Sequence, residues 1–253
     1  MAEYSPVELR IVVAARELRD GESVLVGVGE PNLAANLAKK LHAPNLNMVY
    51  ESGAVGSNPY RMPLSIGDPS LVTGAKSICS MYEQFAYYLQ GGKIDVGFLG
   101  GAQIDKYGNI NSTVIGPYSS PKVRLPGSGG ACDIASNVKK IIVVTPHESR
   151  RFVEKVDFRT SPGFVDGKQN WRRLKLQGGG PHAVITDLCT MRFDEQTGEM
   201  MLASLHPGVT VEKVQQNTPW KLKISDRLDQ TPAPTEKELA TLRALDPGRV
   251  YLR

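Results

Sequence analysis

Cysteine is scarce in this chain and poorly spaced for a framework. Cys79, Cys132 and Cys189 are odd in number, far apart and without a C-x-x-C pair, which argues against both a disulfide scaffold and a zinc site. Reduced thiols, and with them a soluble cytoplasmic protein, are the expectation. Long apolar runs are missing too: no stretch approaches the roughly 18 apolar residues of a membrane span. The first residues, Met1 to Tyr4, are neither basic nor apolar as a leader would be. Charge of one sign is only slightly in excess, at +4, and Lys and Arg are scattered among acids, so nucleic acid is not an expected partner while a phosphate-bearing small ligand is compatible. There is no G-x-S-x-G elbow, no G-x-G-x-x-G fingerprint and no metal-type cluster of His, Cys and acids, which removes the serine hydrolase, Rossmann and metal-site readings.

What is present is α/β wiring. "SPVELRIVVAARELRDG" (5–21) opens with Ser5 as N-cap, Pro6 at the first helical position and Glu8 completing a capping box, then places Val7, Ile11, Ala14 and Leu18 on one face. "SVLVGVG" (23–29) reads as a buried strand and "PNLAANLAKKLH" (31–42) as the next helix, followed by a short strand ending at Glu51. "IDVGFLG" (94–100) and "KIIVVT" (140–145) are further buried strands whose ends are where parallel sheets keep ligands. The stretch 183–208 carries a turn signal at Asp194 to Gly198 and predicts a small β-hairpin appendage. "TVEKVQQNT" (210–218) and "TEKELATLRALDPG" (235–248) predict closing helices joined by the Pro-containing connector "SDRLDQTPAPT". The expected fold is therefore one α/β domain over residues 1–253, a largely parallel sheet flanked by helices with a small C-terminal β-hairpin region.

Three segments are candidates for chemistry. In "NMVYESGAVGSN" (47–58), Glu51 stands at a strand end and is followed by Ser52, Gly53 and Ala54, where a ligand can approach closely; a solvated acid at a turn is the commoner meaning of such a tripeptide. "FLGGAQIDKYGNINST" (98–113) holds Gly100 and Gly101, then Gln103, Asn109 and Asn111, amides able to orient a carbonyl-rich ligand or simply to build a turn. "GSGGACDIASN" (127–137) places Gly127, Gly129 and Gly130 before a short helix, so that free N–H groups can cradle an anion or a developing oxyanion. Among the histidines, His42 is expected to cap a helix end, His147 is a weaker candidate for lining a site, and His182 and His206 lie by turns. Trp171 and Trp220 read as packing residues.

Taken together, E-S-G at 51–53, "GGAQIDKYGNINST", "GSGGACDIA", "SPGFVDG" and "VITDL" through "HPGVTVEKVQQNT", in that order, resemble the β chain of class I coenzyme A transferases, most strongly the glutaconate-type branch. The resemblance implies that Glu51 is the nucleophile that takes up first an acyl group and then CoA; beside it, the residues themselves offer Gly53, Gly100, Gly101, Gln103, Asn109, Gly127, Gly129 and Gly130 as candidates for binding the substrate or CoA. The resemblance also implies coenzyme A as part of the substrate, no permanently bound cofactor, and an α subunit as partner in an αβ or α2β2 assembly, since the glycine-rich G-G-F segment of the α half is absent from this chain. Within the family, whole-chain likeness suggests the actinobacterial hydrolases that open the last steroid ring of cholesterol as a CoA thioester. The expectation is accordingly hydrolytic C–C ring opening, with CoA transfer between carboxylic acids through a glutamyl-CoA intermediate as the alternative.

Overall fold

The computed structural model describes residues 3–252. The chain forms two compact units, Met1–Phe98 with Ala233–Arg253, and Leu99–Pro232. In the first unit the caps act as the sequence predicts. Ser5 Oγ accepts the Glu8 N–H at 3.2 Å and Glu8 Oε2 accepts the Ser5 N–H at 2.8 Å, which starts α1 (Pro6–Arg16). The β1 strand (Ser23–Leu25) is shorter than expected: Val26 to Gly29 leave the strand as a loop that delivers the chain to α2 (Glu30–Leu41). Beyond it come β2 (Asn47–Val49), β3 (Ala54–Val55), β4 (Ser77–Ile78), the short α3 (Met81–Glu83) continued by a π-helical turn at Gln84–Leu89, and β5 (Val96–Leu99). The strand order here is β5-β1-β2-β3-β4. Both β2 and β5 pair with β1 in parallel, whereas β3 and β4 add on antiparallel.

The second unit holds two small hairpins, β6 (Gln103–Ile104) with β7 (Ile110–Asn111) and β8 (Val114–Ile115) with β9 (Val123–Arg124). Next are α4 (Ala131–Asn137), β10 (Lys140–Val144), α5 (Lys168–Arg173), β11 (Pro181–Ile185), β12 (Cys189–Phe193), β13 (Met200–Leu205), α6 (Val211–Gln216) and β14 (Lys223–Gln230). Its sheet runs β14-β13-β12-β11-β10, with β10 and β11 parallel. Two expectations are corrected. The β12–β13 hairpin is no appendage, because it pairs onto β11 and extends the sheet. The connector after α6 is half strand: β14 lies parallel to β13, and only the residues beyond Gln230 form the Pro-containing link. The buried, Val- and Ile-rich β10 and β11 are what a parallel pair covered on both faces requires.

The last helix, α7 (Glu236–Leu245), belongs to the first unit and packs on α1 and α2. Arg16 donates to both oxygens of Glu238 at 2.8 and 2.7 Å, and Arg243 donates to the buried Glu8 at 2.7 Å. Leu9, Ile11, Leu33, Leu37, Leu239 and Leu242 fill the space between these helices and the strands, each contributing about 1.5–3 kcal/mol of burial. Beneath them the sheet contributes Val24, Leu25, Met48 and Val49, all buried.

Candidate active site

Glu51 sits on the tip of the β2–β3 hairpin. The Gly53 N–H donates to Tyr50 O at 2.9 Å and the Tyr50 N–H to Ala54 O at 2.9 Å, so Glu51 and Ser52 are the two central residues of a tight turn and Gly53 is the extra residue that lets the strands resume pairing. Gly53 has φ +100°, and a Cβ there would lie 1.8 Å from the Cys79 carbonyl oxygen. Only glycine fits. In return Cys79 donates its N–H to Gly53 O at 3.0 Å and its Sγ lies 3.3 Å from the same oxygen, which ties the turn to the strand behind it.

Tyr50 anchors the other side. It is buried, and its hydroxyl donates to Asn32 Oδ1 at 3.2 Å, an oxygen that also accepts from Asn36 Nδ2 at 2.6 Å. Burial pushes the Tyr50 phenol up to about 12, so it stays a neutral donor. The Glu51 carboxylate itself is half-buried, and among the described residues no hydrogen bond or ion pair reaches it. Desolvation is what raises its pKa above the ordinary carboxylate value. A carboxylate partly stripped of water and without donors is more basic and more nucleophilic than a solvated one.

Between β1 and α2 the sequence predicts a glycine turn after a strand running to Gly29; the strand ends instead at Leu25, and Val26–Gly29 form a loop. β1 and β2 run parallel, so this loop leaves the same end of the sheet from which β2 runs on into Tyr50 and Glu51. At Gly27 and Gly29 an added Cβ would meet nothing within 4 Å. The alternation of glycines before Glu30-Pro31 was the available signal: Pro31 in the first helical turn places the helix start after Gly29.

The second unit carries the remaining candidates. Gly101 is a packing glycine, since a Cβ would come within 2.3 Å of Ile110 Cγ2, whereas at Gly100 the nearest atom, Val144 O, would be 3.7 Å away. The three amides are buried and occupied internally. Asn109 Nδ2 donates to Asp105 at 3.0 and 2.9 Å and to Val165 O at 2.6 Å, while its Oδ1 accepts the Gly163 N–H at 2.9 Å. Gln103 donates to Asp157 at 3.0 Å and accepts from Asn111 at 2.7 Å. Their bonding makes them the pins of this loop rather than free donors. Gly127 uses its N–H on Ser112 O at 2.8 Å. Gly129 and Gly130, in contrast, make no backbone hydrogen bond through N–H among the described residues, and Gly130 is the N-cap of α4.

His147 lines no open site. It is buried, stacked on Phe152 at 4.2 Å, with Nδ1 3.2 Å from Thr186 Oγ1 and Nε2 3.1 Å from Thr218 Oγ1, and burial lowers its pKa to about 4. His42 Nε2 lies 3.1 Å from Leu18 O at the end of its helix, and His206 is buried against Thr231 and the Thr186 carbonyl. Trp171 meets Phe164 edge-on and Trp220 is buried, both as packing residues. No group of three metal-ligating side chains and no helix long and apolar enough to cross a membrane exists among the described residues.

The Coenzyme A transferase family model matches residues 8–217, and the chain belongs to that family. It is 48% identical to the β chain of the 3-oxoadipate CoA-transferase of Pseudomonas knackmussii, over 97% of this chain and 95% of that one. It is 38% identical to the β chain of the glutaconate CoA-transferase of Acidaminococcus fermentans, over 99% and 96% of the two chains. The crystal structure of the latter organism's glutaconate coenzyme A-transferase superposes with a TM-score of 0.93 at 36% identity, covering 99% of this chain and 98% of that one. The cholesterol ring-cleaving hydrolase chain IpdB of Mycobacterium bovis is similar over 95% of this chain and 94% of its own, but at 26% identity. The greater likeness therefore lies with the transferases and not, as expected from the sequence, with the ring-opening branch.

Proposed function

We propose that this chain is the β half of a heteromeric CoA-transferase, and that Glu51 carries the acyl group and then CoA between two carboxylic acids. The observation that carries the reading is the half-buried Glu51 carboxylate, raised in pKa and without a partner among the described residues, on a turn that glycine and Cys79 hold in place. Attack of this carboxylate on an acyl-CoA carbonyl expels the CoA thiolate and leaves an acyl-glutamyl anhydride. The thiolate then attacks the glutamyl carbonyl, releasing the first acid and leaving Glu51 as a CoA thioester. An acceptor carboxylate reverses the two steps, so CoA leaves on the acceptor and Glu51 is regenerated. No resident cofactor enters this sequence.

The two transferase relatives, named for 3-oxoadipate and glutaconate, point to a short dicarboxylic acid as the acyl group. Each is one chain of a heteromeric enzyme, which points to an α-type chain as partner. The free N–H groups of Gly129 and Gly130 are the candidates on this chain for support of the thioester or its oxyanion. Ring opening is the weaker reading, supported by the lower identity to the hydrolase. One experiment separates them. The assembled complex is mixed, in separate samples, with a dicarboxylic acyl-CoA and with a cyclic β-keto acyl-CoA, each in oxygen-18 water without acceptor acid, and both the intact chain and the products are weighed. Transfer leaves the chain heavier by CoA less one water, on the peptide holding Glu51, and Glu51→Gln abolishes that adduct and lowers turnover at least about 100-fold. A labelled carboxylate on an acyl-CoA product, with no adduct on the chain, would instead establish hydrolysis.

A further inference from the structure

Two buried carboxamides stand behind the Glu51 turn, and each has an amide nitrogen without a hydrogen-bond partner among the described residues. The first is Asn32, wholly buried in the first turn of α2, where its N–H donates to Gly29 O at 3.0 Å. Its orientation follows from its neighbour. Asn36 Nδ2 lies 2.9 Å from Asn32 O, a backbone carbonyl that can only accept, so that atom is the nitrogen of the Asn36 amide. The same nitrogen lies 2.6 Å from one side-chain atom of Asn32, which must then be the oxygen, Oδ1. Oδ1 also accepts from the Tyr50 hydroxyl at 3.2 Å, which leaves Nδ2 as the unpaired group. Turning the amide over would set donor against donor.

The second is Gln84, also wholly buried, whose Oε1 lies 3.8 Å from Cys79 Sγ and whose Nε2 has no partner. Cys79 in turn holds Gly53 O through its N–H and its thiol. Tyr50 and Gly53 are the residues whose backbone bond closes the turn, with Glu51 and Ser52 between them. Asn32 thus holds one side of the turn through Tyr50, and Gln84 backs the other through Cys79. A buried donor left unpaired lowers stability, which an apolar side chain of the same shape would not do. Polar groups kept in such places mark a support selected for geometry rather than for stability.

We propose that Asn32 and Gln84 are positioning residues for Glu51, acting through the Tyr50 hydroxyl and the Cys79 thiol, and that they hold the turn for attack while lowering the stability of the fold. This rests on the transferase reading above. Neither amide bonds to Glu51 itself, so their effect passes through the two residues that fix the turn. Loss of either link lets the carboxylate drift from its line of attack without removing a group that meets the substrate.

The test uses the full chain co-expressed with the α-type chain of the same cell, as parent, Asn32→Leu, Tyr50→Phe, the double variant of these two, Gln84→Met and Thr190→Val. Thr190 is the control: its buried Oγ1 also lacks a partner among the described residues, but it lies on β12 in the second unit. Thermal unfolding reports stability, and the mass of the chain against time gives the rate of adduct formation on Glu51 and the KM for the acyl-CoA. Asn32→Leu, Tyr50→Phe and Gln84→Met should each slow the adduct at least about tenfold with KM within about twofold, and the unfolding midpoint should stay at or above the parent's. The double variant should be no slower than the slower of its two single variants, because both cut one link. Thr190→Val should keep the parent's rate. Parent-like rates in the folded variants overturn the proposal, as do losses that multiply in the double variant or that track a lowered unfolding midpoint. Should Asn32→Leu fail to fold, Tyr50→Phe, which removes a single oxygen, and Gln84→Met still decide it. The transferase reading fails separately, if the parent forms no adduct while these variants still slow its turnover at unchanged KM.

Discussion

Replacing Gly53 by alanine tests the link between backbone geometry and chemistry most directly. The residue holds φ +100°, and a Cβ would lie 1.8 Å from the Cys79 carbonyl oxygen, where real Cβ contacts essentially never fall below 3.0 Å. The positive φ alone costs about 1–2 kcal/mol for an L side chain. Relieving the clash needs a displacement of about 1.2 Å (3.0 less 1.8) between two backbone segments, neither of which can swing away like a side chain. That movement breaks the Cys79 N–H to Gly53 O bond, worth about 1 kcal/mol net. The total is about 2–3 kcal/mol of stability. Because Glu51 is two residues away on the same turn, misplacing it by about 1 Å should also reduce turnover around 100-fold. Gly21→Ala is the control: it shares a positive φ, +81°, but an added Cβ there meets nothing within 4 Å. Thermal unfolding of the assembled complex and the rate of glutamyl-CoA adduct formation are measured for both variants. If Gly53→Ala matched Gly21→Ala in unfolding midpoint and stayed within about threefold of the parent in rate, the Cys79 carbonyl would not be what shapes the reactive turn.

Three further outcomes follow from the same geometry. Burial raises the Glu51 pKa, so on acidification the carboxylate loses its charge at a higher pH than a free glutamate, and the acid limit of kcat/KM should have its midpoint above about 4.3; a midpoint at or below that value contradicts a desolvated nucleophile. Gly130 holds ordinary helical angles, φ −81° and ψ −2°, so Gly130→Ala should leave the unfolding midpoint nearly unchanged while kcat/KM falls if its N–H faces the thioester, and parallel losses in both would assign it to the turn alone. Asn109→Ala removes the donors to the buried Asp105 and the acceptor for Gly163, which should destabilise the complex by about 3 kcal/mol. Its kcat per folded enzyme should stay the same, and a selective loss of kcat would return this amide to the ligand.

Much of this protein is legible in its residues because the deciding interactions are local. The capping box of Ser5 and Glu8, the Pro6 start, the buried runs of β10 and β11 and the turn at Asp194 to Gly198 each depend on residues within a few positions of one another, so their chemistry reads directly from order and spacing. The strand end before Glu51 belongs to the same group, since a short β-run followed by small residues marks it. Non-local contacts decided the rest. β14 is exposed along most of its length and has no apolar alternation, so only its pairing with β13 makes it a strand. Gln103 and Asn109 have the composition of ligand-binding amides, but the tertiary fold buries them against Asp157, Asp105 and Gly163, some fifty residues away in two of the three cases. His147 becomes a neutral core residue for the same reason, enclosed by Thr186, Thr218 and Phe152. The demand for glycine at position 53 comes from a carbonyl 26 residues further on. Spacing along the chain carries the turn, and only folding brings up the atom that makes the turn rigid.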